Sequence, residues 1–103
     1  MHPERRRAPR YPWVADAEVT EPAFKTRLGA QTRNLSAGGC FVTMLNPSLE
    51  GAEVGIKISH GRTTFTALGA VVFVVPNMGM DVAFRTIEPT QSAVLQQWLA
   101  GLG

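Results

Sequence analysis

The sequence predicts a mostly-β fold: a six-stranded antiparallel β-barrel with an irregular N-terminal arm rich in Arg and one C-terminal α-helix. Apolar and polar residues alternate along much of the chain, Gly and Pro separate these stretches, and helical spacing appears only near the end. Many short strands joined by tight turns are typical of small barrels, whose closed sheet has no free edge. With 103 residues, the chain has the size of one domain.

The arm is predicted over residues 1–12, which combine Pro3, Pro9 and Pro12 with four of the eight Arg residues of the chain. Proline lacks a backbone N–H and biases the preceding residue towards an extended conformation. We therefore expect a segment without regular structure, placed over a folded body formed by residues 13–103. The formal net charge is only +2, so the clustered guanidinium groups predict a local anionic partner and not general nucleic-acid binding.

Six strands are predicted between the arm and the helix. The first shows the alternation clearly, since Ala15, Ala17 and Val19 are separated by polar residues and one face is therefore apolar. A short turn over residues 60–62 predicts that the fourth and fifth strands form a hairpin. The longest apolar run, Ala70–Val75, has six residues and is typical of a buried strand, because a membrane span needs about 18–20. The predicted strands cover residues 13–20, 26–35, 40–44, 53–59, 63–75 and 80–86.

The helix is predicted over about residues 90–101. Pro89 suits the first turn of a helix, and Gly101 and Gly103 lie near the predicted end. We expect Trp98 to anchor the helix on the barrel. The apolar residues with helical spacing are Val94, Leu95, Trp98, Leu99 and Leu102.

Two polar segments, one in the arm and the other over Asn34–Gly39, carry the chemistry of a binding site. The planar Arg side chain binds phosphate oxygens or the edge of guanine through paired N–H donors, and it stacks on flat rings. Asn34 can both donate and accept hydrogen bonds, and Ser36 adds a hydroxyl group. Gly38 and Gly39 allow positive φ and close approach of a ligand to the backbone. Together the two segments predict a purine nucleotide site covered by an Arg arm.

The order and spacing of these residues resemble the PilZ domain, a bacterial receptor module for cyclic di-GMP. Its first motif, Arg-x-x-x-Arg, is matched by Arg6 and Arg10 in a single register, and Arg5 supplies the additional Arg that often precedes it. Its second motif, Asp/Asn-x-Ser-x-x-Gly, is matched from Asn34 to Gly39 without a gap. Both motifs occur in order on a matching strand pattern, which makes the resemblance specific.

A weaker third element of the family, in the last strand, is matched by residues 79–84. Met80 and Asp81 stand where the family often has a more apolar or Gly-containing pair. We expect this departure to affect packing more than ligand chemistry. The resemblance covers about residues 4–100, nearly the whole chain.

The resemblance implies a non-catalytic receptor that binds cyclic di-GMP, as one molecule or an intercalated pair, and needs no cofactor. The two Arg residues of the first motif would bind the phosphates and stack on or hydrogen-bond the guanines, and Arg5 is a further expected contact. Asn34 and Ser36 would bind a guanine edge or a phosphate from the barrel surface, and Gly39 would keep the turn open. Whether Arg7 contacts the ligand is left open. Ligand binding would order the arm and so change the surface shown to a partner.

Two alternatives to this receptor stay open. The first is an interaction adaptor with the same fold, for example in pilus assembly or motility, that acts independently of ligand; its members tend to lack the motifs that are intact here. The second is a small DNA- or RNA-binding barrel, which would usually display aromatic residues interleaved with basic ones. We therefore expect a downstream protein partner and no nucleic-acid partner. The identity of that partner, the regulated pathway and the possibility of a homodimer stay open.

An enzyme is not expected, because the sequence contains no recognisable nucleophile–base constellation. A metal site is not expected either, since His2 and His60 lie far apart with no Cys or His at ligand spacing. Cys40, the single cysteine, follows a glycine turn in an apolar strand and is predicted to be a small buried residue. The missing disulfide framework and the lack of an apolar stretch behind the N-terminal Arg residues lead us to expect a cytoplasmic protein without a membrane span.

Overall fold

The computed structural model describes residues 8–102, so Arg5, Arg6 and Arg7 of the predicted site lie outside the described residues. The described part contains seven strands and one helix. In chain order they are β1 (Tyr11–Pro12), β2 (Asp16–Glu21), β3 (Thr26–Leu35), β4 (Gly39–Thr43), β5 (Glu53–His60), β6 (Thr63–Val75), β7 (Gly79–Thr86) and α1 (Pro89–Leu102).

Strands β2–β7 form a closed antiparallel barrel in the order β3-β2-β5-β6-β7-β4, with a β3–β4 pairing that closes the sheet. Every neighbouring pair is antiparallel, and β5 and β6 form the predicted hairpin across the turn after His60. The short strand β1 pairs with Asn34 and Leu35 at the end of β3, beyond the residues that pair with β2. The predicted six-stranded barrel with one C-terminal helix is confirmed, with one extra strand.

The barrel core follows from the period of two along each strand. In β5, for example, Val54, Ile56 and Ile58 are buried, whereas Lys57 and Ser59 between and after them are exposed. Inward-facing apolar residues of every barrel strand meet in one cluster, and burial of this apolar surface is the main favourable term in folding. The alternation of apolar and polar residues in the sequence is therefore the pattern of strands that bury one face in the core.

Helix α1 packs against this core through the residues predicted for it. Leu95 is buried, and the ring of Trp98 lies 6.2 Å from that of Phe65 in β6, measured between centroids. Trp98 is thus an anchor of the helix on the barrel, as predicted. The helix has 14 residues, and no helix in the described part of the chain has the length and apolar character needed to cross a membrane.

The end of the arm is held against β3. Tyr11 pairs with Leu35 and Pro12 with Asn34. Proline is tolerated at position 12 because β1 lies at an edge of the sheet, where the backbone N–H that proline lacks is not needed. The prediction that residues 1–12 lack regular structure is therefore wrong at their C-terminal end. The position of Arg10, directly before β1, is fixed relative to the second motif.

The first barrel strand begins at Asp16 and not at Trp13, and Thr32 in β3 explains the difference. The buried Thr32 hydroxyl accepts a hydrogen bond from the Ala15 N–H at 2.9 Å and donates one to the Trp13 carbonyl at 2.8 Å. These side-chain bonds replace part of the backbone ladder, so the chain between β1 and β2 satisfies its polar groups without strand geometry.

Candidate ligand-binding site

The turn between β3 and β4 is shaped by Ser36. Its Oγ accepts hydrogen bonds from the N–H groups of Gly38 and Gly39, both at 3.1 Å, and donates to the Gly39 carbonyl at 3.2 Å. The Ser36 N–H donates to the same carbonyl at 2.9 Å. These bonds use the buried hydroxyl fully, since a serine hydroxyl offers one donor and two acceptor sites. The serine of the second motif therefore holds the turn that presents the neighbouring residues.

Glycine is required at the end of this turn for a packing reason. Gly39 pairs with Ala83 in β7, and a Cβ atom at Gly39 would clash with the backbone carbonyl of Val82. Any side chain here would push β4 and β7 apart. Gly38 is different, because a Cβ atom there would meet no atom within 4 Å and its backbone is exposed to solvent. Gly38 thus leaves an open surface beside the turn, which suits close approach of a ligand.

Arg10 of the first motif and Asn34 of the second lie in direct contact. Nη1 of Arg10 donates to Oδ1 of Asn34 at 2.9 Å. The same Oδ1 accepts the Phe41 N–H at 3.1 Å, so both partners are donors and the amide orientation is determined by its contacts. The Nδ2 group of Asn34 is then the end that can donate to a guanine or a phosphate.

A third residue, Asp81 in β7, completes this cluster. Nη1 and Nη2 of Arg10 donate to the Asp81 carboxylate at 2.6 and 3.3 Å, and the side chains of Arg10 and Asp81 are only 17% and 6% exposed. The expectation that Met80 and Asp81 affect packing more than ligand chemistry stays a prediction, and the contact of the Asp81 carboxylate with Arg10 is the observation that bears on it. No local pattern in the sequence indicates this contact, since it joins positions 71 apart.

Five of the predicted site residues therefore occupy one end of the barrel: Arg10, Asn34, Ser36, Gly38 and Gly39. They combine a cationic side chain, an amide that can donate, and an open surface at Gly38. This combination can bind phosphate and the polar edge of a purine. Their role as ligand contacts stays a prediction, as does that of Arg5 and Arg6 beyond the described residues.

Cys40 lies next to this cluster but faces the barrel core. Burial raises the pKa of its thiol to about 12; the nearby Arg10 acts in the opposite direction, and Asp81 adds to the rise. The thiolate is the reactive form of cysteine. The structure thus confirms the prediction of a small buried residue.

We expect Cys40 to resist thiol-specific reagents in the folded protein at about pH 8 and to react readily once urea unfolds the chain. The unfolded thiol ionises near pH 8.5, whereas the folded one keeps its proton to a much higher pH. The protonated thiol of the folded protein therefore makes its full contribution to the free energy of unfolding below about pH 8.5. This contribution is lost as the pH rises towards the pKa of the folded thiol. Timed labelling with and without urea measures how fast Cys40 reacts in the folded and the unfolded chain. Equal rates would contradict the expected protection of the folded thiol.

The chain is similar to known proteins both in sequence and in fold. A family model described as PilZ domain matches residues 4–101. Among solved structures, the PilZ domain of YcgR from Escherichia coli with c-di-GMP superposes with a TM-score of 0.79 at 18% identity, over 96% of this chain and 92% of that one. The PilZ domain of CeSA from a cellulose-synthesising bacterium gives 0.73 at 19% identity, over 91% and 97% of the two chains.

A longer protein, the inhibitor of motility MotI/DgrA from Bacillus subtilis, superposes with a TM-score of 0.76 at 19% identity. The match covers 95% of this chain and 50% of that one, so the chain spans half the length of that protein. A search of curated proteins found no match. At these identities the superpositions show a shared fold.

Proposed function

Because this chain belongs to the PilZ domain family, we propose that it is a non-catalytic receptor for cyclic di-GMP. The observation that carries the proposal is the 2.9 Å hydrogen bond between Arg10 and Asn34. It joins the last residue of the first motif to the first residue of the second. The YcgR domain with the same fold was solved with c-di-GMP, which supports the same ligand class here.

The chemistry of the cluster suits this ligand. Cyclic di-GMP carries two phosphates and two guanines, which match the paired N–H donors and the flat face of Arg. Asn34 adds an amide donor at the barrel surface. Arg6 precedes Arg10 by four residues in the sequence, and four residues of extended chain span at most about 14 Å. Long Arg side chains at both positions can therefore contact one ligand.

We infer that the signal is a change in the arm. The backbone of β1 is paired with β3, so the ligand-dependent change of the backbone concerns the residues before β1. The ligand neutralises clustered guanidinium groups that repel one another, which favours an arm folded over the turn. A partner protein would then read the new surface formed by arm, ligand and barrel.

Titration calorimetry tests the proposed function directly. We expect saturable binding of cyclic di-GMP with a dissociation constant in the micromolar range or below, because several charge-assisted contacts converge on one ligand. GTP and cyclic GMP serve as controls, since each has guanine and phosphate without the two-fold arrangement. Absence of binding at micromolar cyclic di-GMP would contradict the proposal, and so would equal binding of GTP or cyclic GMP.

A ligand-independent adaptor is the second candidate, and an exposed apolar surface beside the site favours it. Val72, Phe73 and Met78 are exposed on β6 and the following turn, and apolar side chains of this size at a surface are candidates for a protein contact. Recovery of the same partner with and without cyclic di-GMP would favour this function. Recovery only with the ligand would favour the receptor.

A further inference from the structure

The contact between Arg10 and Asp81 occupies the paired donors at the end of the Arg10 guanidinium, one of the two edges that can bind a phosphate. Both terminal nitrogens donate to the carboxylate, at 2.6 and 3.3 Å. A carboxylate and a phosphate present similar paired oxygens to a guanidinium group, so the two compete for the same edge. Asn34 takes a further Nη1 hydrogen. An anion that approaches Arg10 from outside therefore meets a side chain already neutralised by its own protein.

The position of Asp81 makes this competition strong. Asp81 lies directly opposite Phe41 in β4 and Phe73 in β6, and directly opposed residues of neighbouring strands share one face of the sheet. The two rings lie 6.3 Å apart between centroids, and the Asp81 side chain on the same face is only 6% exposed. Water consequently screens the attraction between Arg10 and Asp81 less than it screens an exposed ion pair. Exposed ion pairs contribute little to stability.

We propose that Asp81 sets the ligand concentration at which the site fills, because in the ligand-free protein it neutralises Arg10 and holds paired donors for which a ligand phosphate competes. The inference rests on the proposed function, cyclic di-GMP binding. Arg10 lies on a segment before β1 without regular structure and keeps 17% of its side chain exposed, so its guanidinium can exchange partners without unfolding a strand. The exchange leaves Asp81 without its cation, and this cost lowers the affinity for the ligand.

The variant Asp81→Asn tests the proposal, because it keeps the shape of the side chain and removes its charge. We expect it to bind cyclic di-GMP about ten-fold more tightly than the wild type, or better. Asp16→Asn is the matched control: Asp16 is exposed on β2, so this variant changes the net charge equally without touching the site. It should leave the affinity within about two-fold of the wild type.

The outcomes separate this inference from the proposed function. Tighter binding by Asp81→Asn alone supports it. Equal or weaker binding by Asp81→Asn, with binding by the wild type, overturns the inference and leaves the receptor intact. A gain shared by Asp16→Asn also overturns it, since net charge then explains the effect. Failure of every protein to bind cyclic di-GMP overturns both.

A measurement on the wild type keeps the inference falsifiable if Asp81→Asn fails to fold. The carboxyl ¹³C resonance of Asp81 reports whether its oxygens still accept hydrogen bonds from Arg10. On saturation with cyclic di-GMP, we expect this resonance to move towards that of a carboxylate without an Arg partner. An unchanged resonance, while the amides of Asn34 and Gly38 shift, would show that the ion pair persists and would overturn the inference.

Discussion

Replacement of both Arg6 and Arg10 by Ala is expected to weaken cyclic di-GMP binding by about 3–6 kcal/mol, and each single replacement by about 1.5–3 kcal/mol. Each variant loses charge-assisted hydrogen bonds to the ligand, and the losses add if the two side chains contact different ligand groups. At position 10 a second effect acts in the same direction. Without Arg10, the buried carboxylate of Asp81 loses its cation and its negative charge disfavours an anionic ligand nearby.

The matched control removes two positive charges elsewhere. Arg27 and Lys57 are exposed on β3 and β5, and the double replacement Arg27→Ala with Lys57→Ala lowers the net charge by the same amount. Calorimetry should find its affinity close to that of the wild type, because charges beyond the Debye length of about 8 Å are largely screened. Unchanged affinity in both single variants, Arg6→Ala and Arg10→Ala, would refute the assignment of the site.

The barrel and helix could be predicted because their signals are local. Strand β3 has the predicted bounds, Thr26–Leu35, and α1 extends one residue beyond the prediction at each end. Period two, helical spacing and glycine turns each depend on neighbours a few residues apart. The same holds for the turn of the second motif, whose Ser36 bonds reach only three residues along the chain.

The ion pair of the site could not be predicted in this way. Asp81 stands in a strand whose neighbours Met80 and Val82 are fully buried, and the sequence pattern there indicates packing. Its partner Arg10 comes from the opposite end of the chain and is brought near by three pairings in succession, β1–β3, β3–β4 and β4–β7. Only the closed barrel places these strands side by side, so the contact depends on topology and not on spacing.

An aromatic cluster connects the helix to the segment that follows the arm. The ring of Trp98 in α1 lies 5.0 Å from that of Trp13, which directly follows β1. On its other side Trp98 packs on Phe65, whose ring lies 5.3 Å from that of Phe84 in β7. Phe65 is therefore the point at which β6, β7 and α1 meet.

Replacement of Phe65 by Ala is expected to lower the free energy of unfolding by about 3–5 kcal/mol, the range for loss of a buried aromatic side chain. Phe65 is 0% exposed, so the deletion leaves a cavity beneath the helix, and the ring contacts with Phe84 and Trp98 are lost with it. For a domain of this size such a loss is a large part of the total stability. Urea unfolding monitored by tryptophan fluorescence measures it, because Trp98 packs on the deleted ring.

Phe24 offers the matched control for this substitution. It is 73% exposed in the turn between β2 and β3, so Phe24→Ala removes the same atoms without opening a cavity and should change the free energy of unfolding by about 0.5 kcal/mol or less. Equal effects of the two substitutions would contradict the packing of α1 on the barrel. A large effect at Phe65 alone would show that the helix and the strands share one core, since the same ring then stabilises both.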